Sequence, residues 1–560
     1  MRDDSAWPPG TALLQDLNAN LRNESVIQLI PAPTNDPNDP LNWKNWEKAL
    51  NYFLVLWYTF IVFAIIDVIT PTWEPMHEEL GFSYDILNDS YAAGSGALCV
   101  GSLLIIPFAL KLGRRPVYVL SLAGQLGINI WSAKIQTVAD LMMINVLNCI
   151  LGSLAEVIVQ MTVADVFFIH QRGMMNSLYV WATLIGGSLS PVAAGYVTLG
   201  QGWRWVWWWM SILIGVSLVL FVFLYEETMF AAPNIDAIPI AEVTAHNNRQ
   251  GGVKPPKESG DKQDAISNSV PEGSVESVEK GQISSSDDSV YRAHSDSATT
   301  KISRKAYLQR LALWSNSGGS WRDYAYFSIQ PLLILFTIPP VFYCALLFGI
   351  VTVTFQITVT VVSTYMPGAP YYFNSAQIGL MGGLPSFIGT TIGLLIIGPT
   401  SDRLILFLSR RNKGIYEPEM RLWIVLIFTP FVPAGLLIFG YGLEYGLNWP
   451  ILAAGLLILA MGTAPISSGV LAYMTDSYTK TVASGMVGVI FIRNLLATIF
   501  VVVFTPWINH NGIGNVFLIC SIIILLILLL TIGMLKYGKK LRVLSTPRYA
   551  GYSIRSMNAR

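Results

Sequence analysis

One predicted helix carries a row of polar residues through an otherwise apolar stretch. Glu156 lies near the middle of residues 141–167, among residues that recur at three- and four-residue intervals and therefore share one helical face. The members of this face are Asn145, Asn148, Gly152, Glu156 and Gln160. A carboxyl group in this setting is able to carry a proton or to bind a cationic substrate. We predict one of these roles for Glu156, and the alternative is a structural hydrogen bond between helices.

A second ionisable residue interrupts an apolar segment nearer the C-terminus. Arg493, followed by Asn494, lies midway along residues 482–505. A charged side chain costs at least ~2.5 kcal/mol at the centre of a bilayer, so it normally faces a partner or a cavity. Three roles are open for Arg493. It pairs with a carboxylate, binds an anionic group of a substrate, or makes structural hydrogen bonds to carbonyl groups at helix ends.

A third polar stripe follows the segment 341–362. Its members on one helical face are Thr352, Gln356, Thr360 and Ser363, with Phe355 and Tyr343 nearby. A polar stripe with aromatic neighbours suits an amphiphilic organic solute, and the alternative is hydrogen bonding between helices. The predicted substrate-cavity residues are Asn145, Asn148, Gln160, Tyr343, Phe355, Gln356, Arg493 and Asn494.

The composition gives little support for catalysis or metal binding. The five His residues lie in loops or at segment ends, whereas a membrane oxidase or metalloprotease needs clustered His or Glu ligands. The four Cys residues lie in apolar segments, which argues against a disulfide framework or a cysteine metal site. We therefore expect no catalytic residue, metal site or cofactor, and no enzyme. The formal net charge of +0 gives no sign of a nucleic-acid partner.

The hydrophobic content predicts a membrane protein. Hydrophobic residues make up 53% of the chain and charged residues 12%, about half the charged fraction of a soluble protein. Crossing about 30 Å of hydrocarbon takes ~20 apolar residues. The segments of suitable length, numbered as spans 1 to 12, are 49–70, 90–110, 117–135, 141–167, 176–198, 203–225, 341–362, 378–397, 422–441, 450–474, 482–505 and 514–535. The sequence thus predicts an all-α membrane protein with twelve transmembrane helices in the lipid bilayer.

Basic residues are distributed unevenly about these spans. All but three of the 35 Lys and Arg residues fall in the N-terminal segment, the C-terminal tail and the alternate loops on their side. The exceptions are Lys134, Arg204 and Arg493. Because basic residues are retained on the cytoplasmic side, both termini are predicted to be cytoplasmic. Three acids lie near the ends of spans. Asp67 lies at an outer end, and Asp165 and Asp476 lie at inner ends, where they suit the role of a gate or a helix cap.

A long polar stretch separates the first six spans from the last six. It is rich in Ser, Asp, Lys, Gly and Pro and cannot form a packed core. Near its end, Ile302–Trp314 is amphipathic and basic, which predicts a helix on the inner leaflet. The predicted organisation is a cytoplasmic N-terminal segment (1–48), a six-helix half (49–225), a cytoplasmic disordered linker (226–330), a second six-helix half (331–535) and a cytoplasmic tail (536–560).

Two short inner loops carry related sequences. The loop between spans 2 and 3 contains Gly113, Arg114 and Arg115, and the loop between spans 8 and 9 contains Asp402 and Arg403. Both resemble the loop signature of the major facilitator superfamily, which occurs once in each half. The resemblance implies that charges paired across helix ends hold one conformational state. Because Leu110 and Lys111 replace the family's acid and arginine in the first copy, only the second keeps the acid–base pair.

Span 5 contains a run of small residues from Gly186 to Gly195. The run resembles the Gly/Pro signature of proton-coupled antiporters at Gly186, Pro191 and Gly195, whereas Ser190 and Ala194 replace two glycines. Small residues permit close helix packing, and Pro191 weakens the helix where two helices would slide. The alternative is an ordinary packing face. Residues 39–43, 164–170, 417–422 and 493–494 resemble the fungal twelve-helix drug:proton antiporter branch.

The resemblance implies two pseudo-symmetric halves that alternate around a central cavity lined by spans 1, 4, 7 and 10. The face of Glu156 then points into the cavity, although Asn148 stands where the family's span-4 signature has an arginine. The implied function is proton-coupled export of amphiphilic drugs, toxins or secondary metabolites, by a monomer in the plasma membrane or the vacuolar membrane. Two alternatives are a proton-coupled importer of a nutrient or an organic cation such as a polyamine, and a non-transporting sensor.

Overall fold

A computed structural model describes residues 8–13, 36–229, 307–311, 321–412, 414–478 and 481–557, with only the backbone for some residues inside helices. The N-terminal half is a helical bundle that contains spans 1 to 6. Its helices are α1 (Asn45–Asp67), α2 (Trp73–Leu80), α3 (Tyr84–Leu112), α4 (Arg114–Ser132), α5 (Val138–Gly152), α6 (Leu154–Val166), α7 (Ile169–Gln201) and α8 (Trp203–Leu224). Span 4 is divided into α5 and α6 at Ser153, one turn before Glu156.

The C-terminal half is a second bundle that contains spans 7 to 12. Its helices are α10 (Trp321–Thr337), α11 (Pro339–Tyr365), α12 (Ser375–Arg411), α13 (Leu422–Phe428), α14 (Phe431–Glu444), α15 (Trp449–Ser477), α16 (Val482–Asn511) and α17 (Ile513–Met557), preceded by a short α9 (Tyr307–Arg310). Helix α10 begins within the predicted linker, and α17 continues through the predicted tail. Most of that linker, and of the predicted amphipathic helix, lies outside the described residues.

The helices have the length and composition of membrane spans. Within the described ranges, 11 helical stretches are long and apolar enough to cross a bilayer. The predicted span 3, helix α4, is not among them because Arg114, Arg115, Gln125 and Asn129 lower its hydropathy. These four side chains are buried, so α4 packs inside the bundle despite its polarity. The twelve predicted spans therefore all fall on helices of an all-α membrane fold.

Each half has its own apolar core. In the N-terminal half, Tyr58 packs edge-to-face on Tyr118, with 4.9 Å between ring centroids. In the C-terminal half, Phe517 packs between Phe439 and Phe504. The halves meet along two helix pairs, α3 with α16 and α7 with α12. Contacts of α10 with α3 and of α6 with α16 add to this boundary between the halves.

Two short strands join the N-terminal segment to the C-terminal half. Strand β1 (Ala12–Leu13) pairs antiparallel with β2 (Ile415–Tyr416), with Ala12 opposite Tyr416. The side of the bundle that carries these strands also carries the arginine clusters described below. We call it the basic side and the other end the far side.

Candidate functional site

The structure brings together the two ionisable residues that interrupt apolar segments. Arg493 Nη2, on α16 of the C-terminal half, forms an ion pair with Glu156 Oε1, on α6 of the N-terminal half. Asn494 Nδ2 donates to the other carboxylate oxygen of Glu156, with 3.0 Å between the atoms. The cluster of Glu156, Arg493 and Asn494 is thus a polar link between the two halves, and we call it the central charge cluster.

The central charge cluster is shielded from solvent. The exposed fraction of the side chain is 1% for Glu156 and 12% for Arg493. Arg493 Nε donates to Asn494 Oδ1 at 3.1 Å, and its guanidinium lies 5.4 Å from the centre of the Phe348 ring on α11. Removing one partner of a buried ion pair leaves an uncompensated charge and costs about 3–5 kcal/mol. Each side chain therefore depends on the other to remain inside the membrane.

Other residues of the predicted polar face on span 4 bond within the N-terminal half. Asn145 Nδ2 donates to Ser90 Oγ on α3 at 3.0 Å. Asn148 Oδ1 accepts from Asn129 Nδ2 on α4 at 3.4 Å. The side chain of Gln160 lies outside the described residues. Of the described members of this face, Glu156 makes the ion pair to the other half.

The predicted residues of α11 separate into two groups. Tyr343 donates from its hydroxyl to Thr531 Oγ1 on α17 at 2.8 Å, inside the C-terminal half. Phe355 lines a small cavity at the boundary between the halves, and Gln356 lies beside the hydroxyl of Tyr91 on α3. Phe355 and Gln356 thus face the N-terminal half, whereas Tyr343 holds two helices of its own half together.

A cluster of charged residues joins helix ends on the basic side of the N-terminal half. Gly113 makes the turn between α3 and α4 with a φ of 101°, in the region that favours glycine. The Arg114 guanidinium then pairs with Asp165 at the end of α6, with 3.2 Å from Nη2 to Oδ2. The backbone N–H groups of Arg114 and Arg115 both donate to the Glu227 carboxylate. Asp165 and Glu227 therefore supply the negative charge that the loop lacks at Leu110.

The C-terminal half repeats this arrangement with different residues. Arg421, just before α13, pairs with Asp476 near the end of α15, and Tyr416 donates its hydroxyl to the same carboxylate. Burial and the neighbouring Asp476 raise the pKa of Tyr416 above its ordinary value, so this hydroxyl stays protonated. Arg542 on α17 binds Glu419 through two hydrogen bonds. In the sequence, these pairs could have been found from acids and arginines that lie close to the ends of the predicted spans.

The second copy of the loop signature is described only in part. Arg403 is exposed on α12, and the side chain of Asp402 lies outside the described residues. The predicted acid–base pair between them therefore stays a prediction.

The small residues of span 5 lie at close helix contacts. A Cβ atom at Gly195 would overlap the carbonyl oxygen of Ser375 at the start of α12. A Cβ atom at Gly186 would lie 2.5 Å from the carbonyl oxygen of Phe60 on α1. Pro191 lines the same cavity as Phe355. Gly195 therefore permits close contact between the halves, and Gly186 permits close contact within one half.

Comparison with known proteins identifies relatives over nearly the whole chain. The profile of the Major Facilitator Superfamily matches residues 55–443. An uncharacterized MFS-type transporter of Schizosaccharomyces pombe is 31% identical over 97% of this chain and 94% of its own length. Protein HOL1 of Saccharomyces cerevisiae is 28% identical over 97% and 96% of the two chains. The MFS antiporter QDR3 of Candida albicans is 24% identical over 92% and 81%.

A solved structure shares the fold. The proton:xylose symporter XylE, bound to 6-bromo-6-deoxy-D-glucose, superposes with a TM-score of 0.54 and 12% sequence identity. The match covers 90% of this chain and 100% of the symporter chain. At this level of identity the comparison concerns the arrangement of helices alone.

Proposed function

Because this chain belongs to the major facilitator superfamily, we propose that it is a proton-coupled exporter of amphiphilic organic compounds. The family makes the chain a multi-pass membrane transporter with the fold of secondary transporters, in which two halves rock around a central site. Proton coupling, the direction of transport and the substrate class are our proposals. The observation that carries the proposed coupling is the ion pair between Glu156 and Arg493, which joins the halves inside the membrane.

The coupling step follows from the charges of the central cluster. While Glu156 is ionised, its pairing with Arg493 and its hydrogen bond from Asn494 oppose separation of α6 and α16. A proton on Glu156 removes the negative charge and weakens both contacts, because the bonds that involve ionised groups are the stronger ones. Proton binding and release at Glu156 would then bias the two halves between conformations.

Separate observations support the proposed substrate class and direction of transport. Phe355 and Gln356 place aromatic and amide groups at the boundary between the halves, as an amphiphilic solute requires. Pro191 and Gly195, two of the span 5 residues that resemble the antiporter signature, lie at that boundary too. One relative is named as an antiporter. These observations favour exchange of a proton for an outgoing organic compound.

Transport in proteoliposomes under an imposed pH gradient tests the proposal. We expect the wild type to move amphiphilic drugs and metabolites against the proton gradient. Glu156→Gln should lose gradient-driven transport by about tenfold or more while it still binds substrate, because the group that takes the proton is gone. Movement of the compounds with the proton would contradict export, and wild-type coupling in Glu156→Gln would contradict the role of this residue.

Glu79→Gln supplies a matched control for this experiment. Glu79 also pairs with an arginine, Arg204, but its side chain is 49% exposed. Exposed ion pairs contribute only about 0–1 kcal/mol, so this variant should transport as the wild type does.

We also propose that the protein is a monomer in the plasma membrane. Each half has its own core, and the described helices complete both bundles within one chain. Light scattering of the purified protein and microscopy of a fluorescent fusion test the two parts of this proposal. A dimeric mass, or fluorescence confined to the vacuolar membrane, would contradict it.

A further inference from the structure

A buried carboxylate at the far side has no cationic partner among the described residues. Asp67, the last residue of α1, is 5% exposed. Glu156, Glu226 and Glu419 are buried to a similar degree, and each pairs with an arginine. In the described part of the chain, no Lys, Arg or His lies at ion-pairing distance from Asp67. A carboxylate in the membrane without such a partner is costly, so a cation supplied from outside would stabilise it.

Asp67 lines a small cavity between the two halves. The N-terminal half contributes Asp67, Thr70, Gly187 and Pro191, and the C-terminal half contributes Phe355, Val359, Val362, Ser363, Ile378 and Gly382. Its volume of about 10 Å³ holds roughly one water molecule. Because the walls come from both halves, separation of the halves at the far side would widen the cavity and admit a larger ligand.

A tyrosine hydroxyl, an amide group and an aromatic ring lie near Asp67. Tyr91 donates its hydroxyl to Asp67 Oδ1 at 3.0 Å. Gln356 lies beside that hydroxyl, is 9% exposed, and its Oε1 has no hydrogen-bond partner within the described ranges. The Asp67 carboxylate and Gln356 Oε1 are both able to accept hydrogen bonds from a ligand, and Phe355 adds an aromatic surface that attracts cations. The complementary ligand carries a positive charge and N–H donors.

The neighbouring helix leaves the carboxylate accessible. A Cβ atom at Gly187 on α7 would lie 2.6 Å from Asp67 Oδ2. A side chain at this position would displace the carboxylate or cover its second oxygen. Glycine at position 187 thus keeps that oxygen open toward the cavity.

From these contacts we propose that Asp67 binds the protonated amine of a cationic substrate. When the far side opens, the ammonium group pairs with Asp67 and donates to Gln356 Oε1, while the apolar part of the substrate contacts Phe355. This inference rests on the proposed function, because it assigns the substrate class of the same transporter. It places substrate recognition at Asp67, away from the central charge cluster.

Equilibrium binding to the full-length protein in nanodiscs tests this assignment. The probes are tritiated phenylbutylamine, which is cationic at pH 7, and phenylbutanol, its uncharged counterpart of the same length. Empty nanodiscs correct for partition into lipid. We expect the wild type to bind the amine at least about tenfold more tightly than the alcohol, as one charge-assisted contact implies. Asp67→Asn should bring the two affinities together by weakening amine binding alone.

The matched control is Glu79→Gln, the same change from acid to amide at an exposed carboxylate outside the cavity. It should keep the preference for the amine. Unchanged binding of the alcohol by Asp67→Asn shows that this variant is folded. Equal affinities in the wild type, or a preference that survives in Asp67→Asn, would overturn the inference. Survival of the preference together with loss of pH-driven transport would assign Asp67 to the proton instead.

The binding measurement separates this inference from the proposed function. Preference for the amine without gradient-driven transport would contradict the proposed function and leave the assignment of Asp67 supported. Gradient-driven transport without any preference for the amine would contradict the assignment alone.

Discussion

At the scale of single residues, the membrane interior makes each charge dependent on a partner. Glu156 and Arg493 each cost several kcal/mol alone, and together they form one buried pair with a hydrogen bond from Asn494. Asp67 differs because the described residues give it a tyrosine hydroxyl and no cation. The paired acid suits a role in coupling the halves, and the unpaired acid suits a role in binding.

A double-mutant cycle tests the energy of the Glu156–Arg493 pair. Glu156→Leu or Arg493→Met alone should lower the free energy of unfolding by about 3–5 kcal/mol, because each leaves the other charge buried and unpaired. The double variant should be more stable than either single variant, since it leaves no uncompensated charge. Denaturant unfolding in detergent micelles measures the three variants. Additive losses in the double variant would show that the two side chains are not coupled.

At the scale of helices, the halves are joined by the packing of α3 on α16 and of α7 on α12. Asn88 on α3 is buried and donates its amide to Val501 O at 3.1 Å and to Thr505 Oγ1 at 2.9 Å, both on α16. These hydrogen bonds cross between the halves at the far side. They stabilise the conformation in which the cavity of Asp67 is small.

Loss of the Asn88 amide should therefore open the far side. Asn88→Ala removes two hydrogen bonds and should raise the population of the open conformation by about tenfold. A cysteine at position 363, introduced as Ser363→Cys in the cavity wall, should then react faster with a membrane-impermeant maleimide. Asn129→Ala is the control, because Asn129 bonds only to Gln125 and Asn148 of its own half among the described contacts. Equal labelling rates in the two variants would contradict the role of Asn88.

At the scale of the whole molecule, the N-terminal segment binds the C-terminal half. Strand β1 pairs with β2, and Arg542 donates to the carbonyl oxygen of Pro9 and to Thr11 Oγ1. Arg542 is fully buried and also binds Glu419. The segment that leads into the first half thus completes the hydrogen bonding of a charge cluster in the second half.

Removal of residues 1–13 should destabilise the C-terminal half on the basic side. The deletion takes two acceptors from a buried guanidinium and should lower the free energy of unfolding by about 1–3 kcal/mol. Removal of residues 1–7 alone is the control, because it keeps Pro9 and Thr11 in place. Thermal unfolding in detergent compares the two proteins. If removal of residues 1–13 left the stability unchanged, the segment would bind without stabilising the fold.

Much of the fold could be predicted because hydropathy, helical period and charge asymmetry are local properties of the chain. The predicted spans fall on helices, including α4, where buried polar residues made the signal weak. Two features were less well predicted: α10 is a helix that no predicted span covers, and α17 continues past the apolar residues through contacts with the rest of the bundle. Arg542 and Ser545, for example, hold the extension of α17 against Glu419 and Tyr478.

The sequence by itself determined the membrane class. It also marked Glu156 and Arg493 as functional or structural residues, because a charged side chain in the membrane costs free energy unless it has a partner. Only the tertiary structure decided that they pair, because Glu156 and Asn494 are 338 positions apart and meet through the packing of two separate bundles. The same packing directs Asn145, Asn148 and Tyr343 to structural hydrogen bonds and leaves Asp67 beside a cavity. Spacing along a helix fixes which residues share a face, whereas the position of the neighbouring helices decides what that face meets.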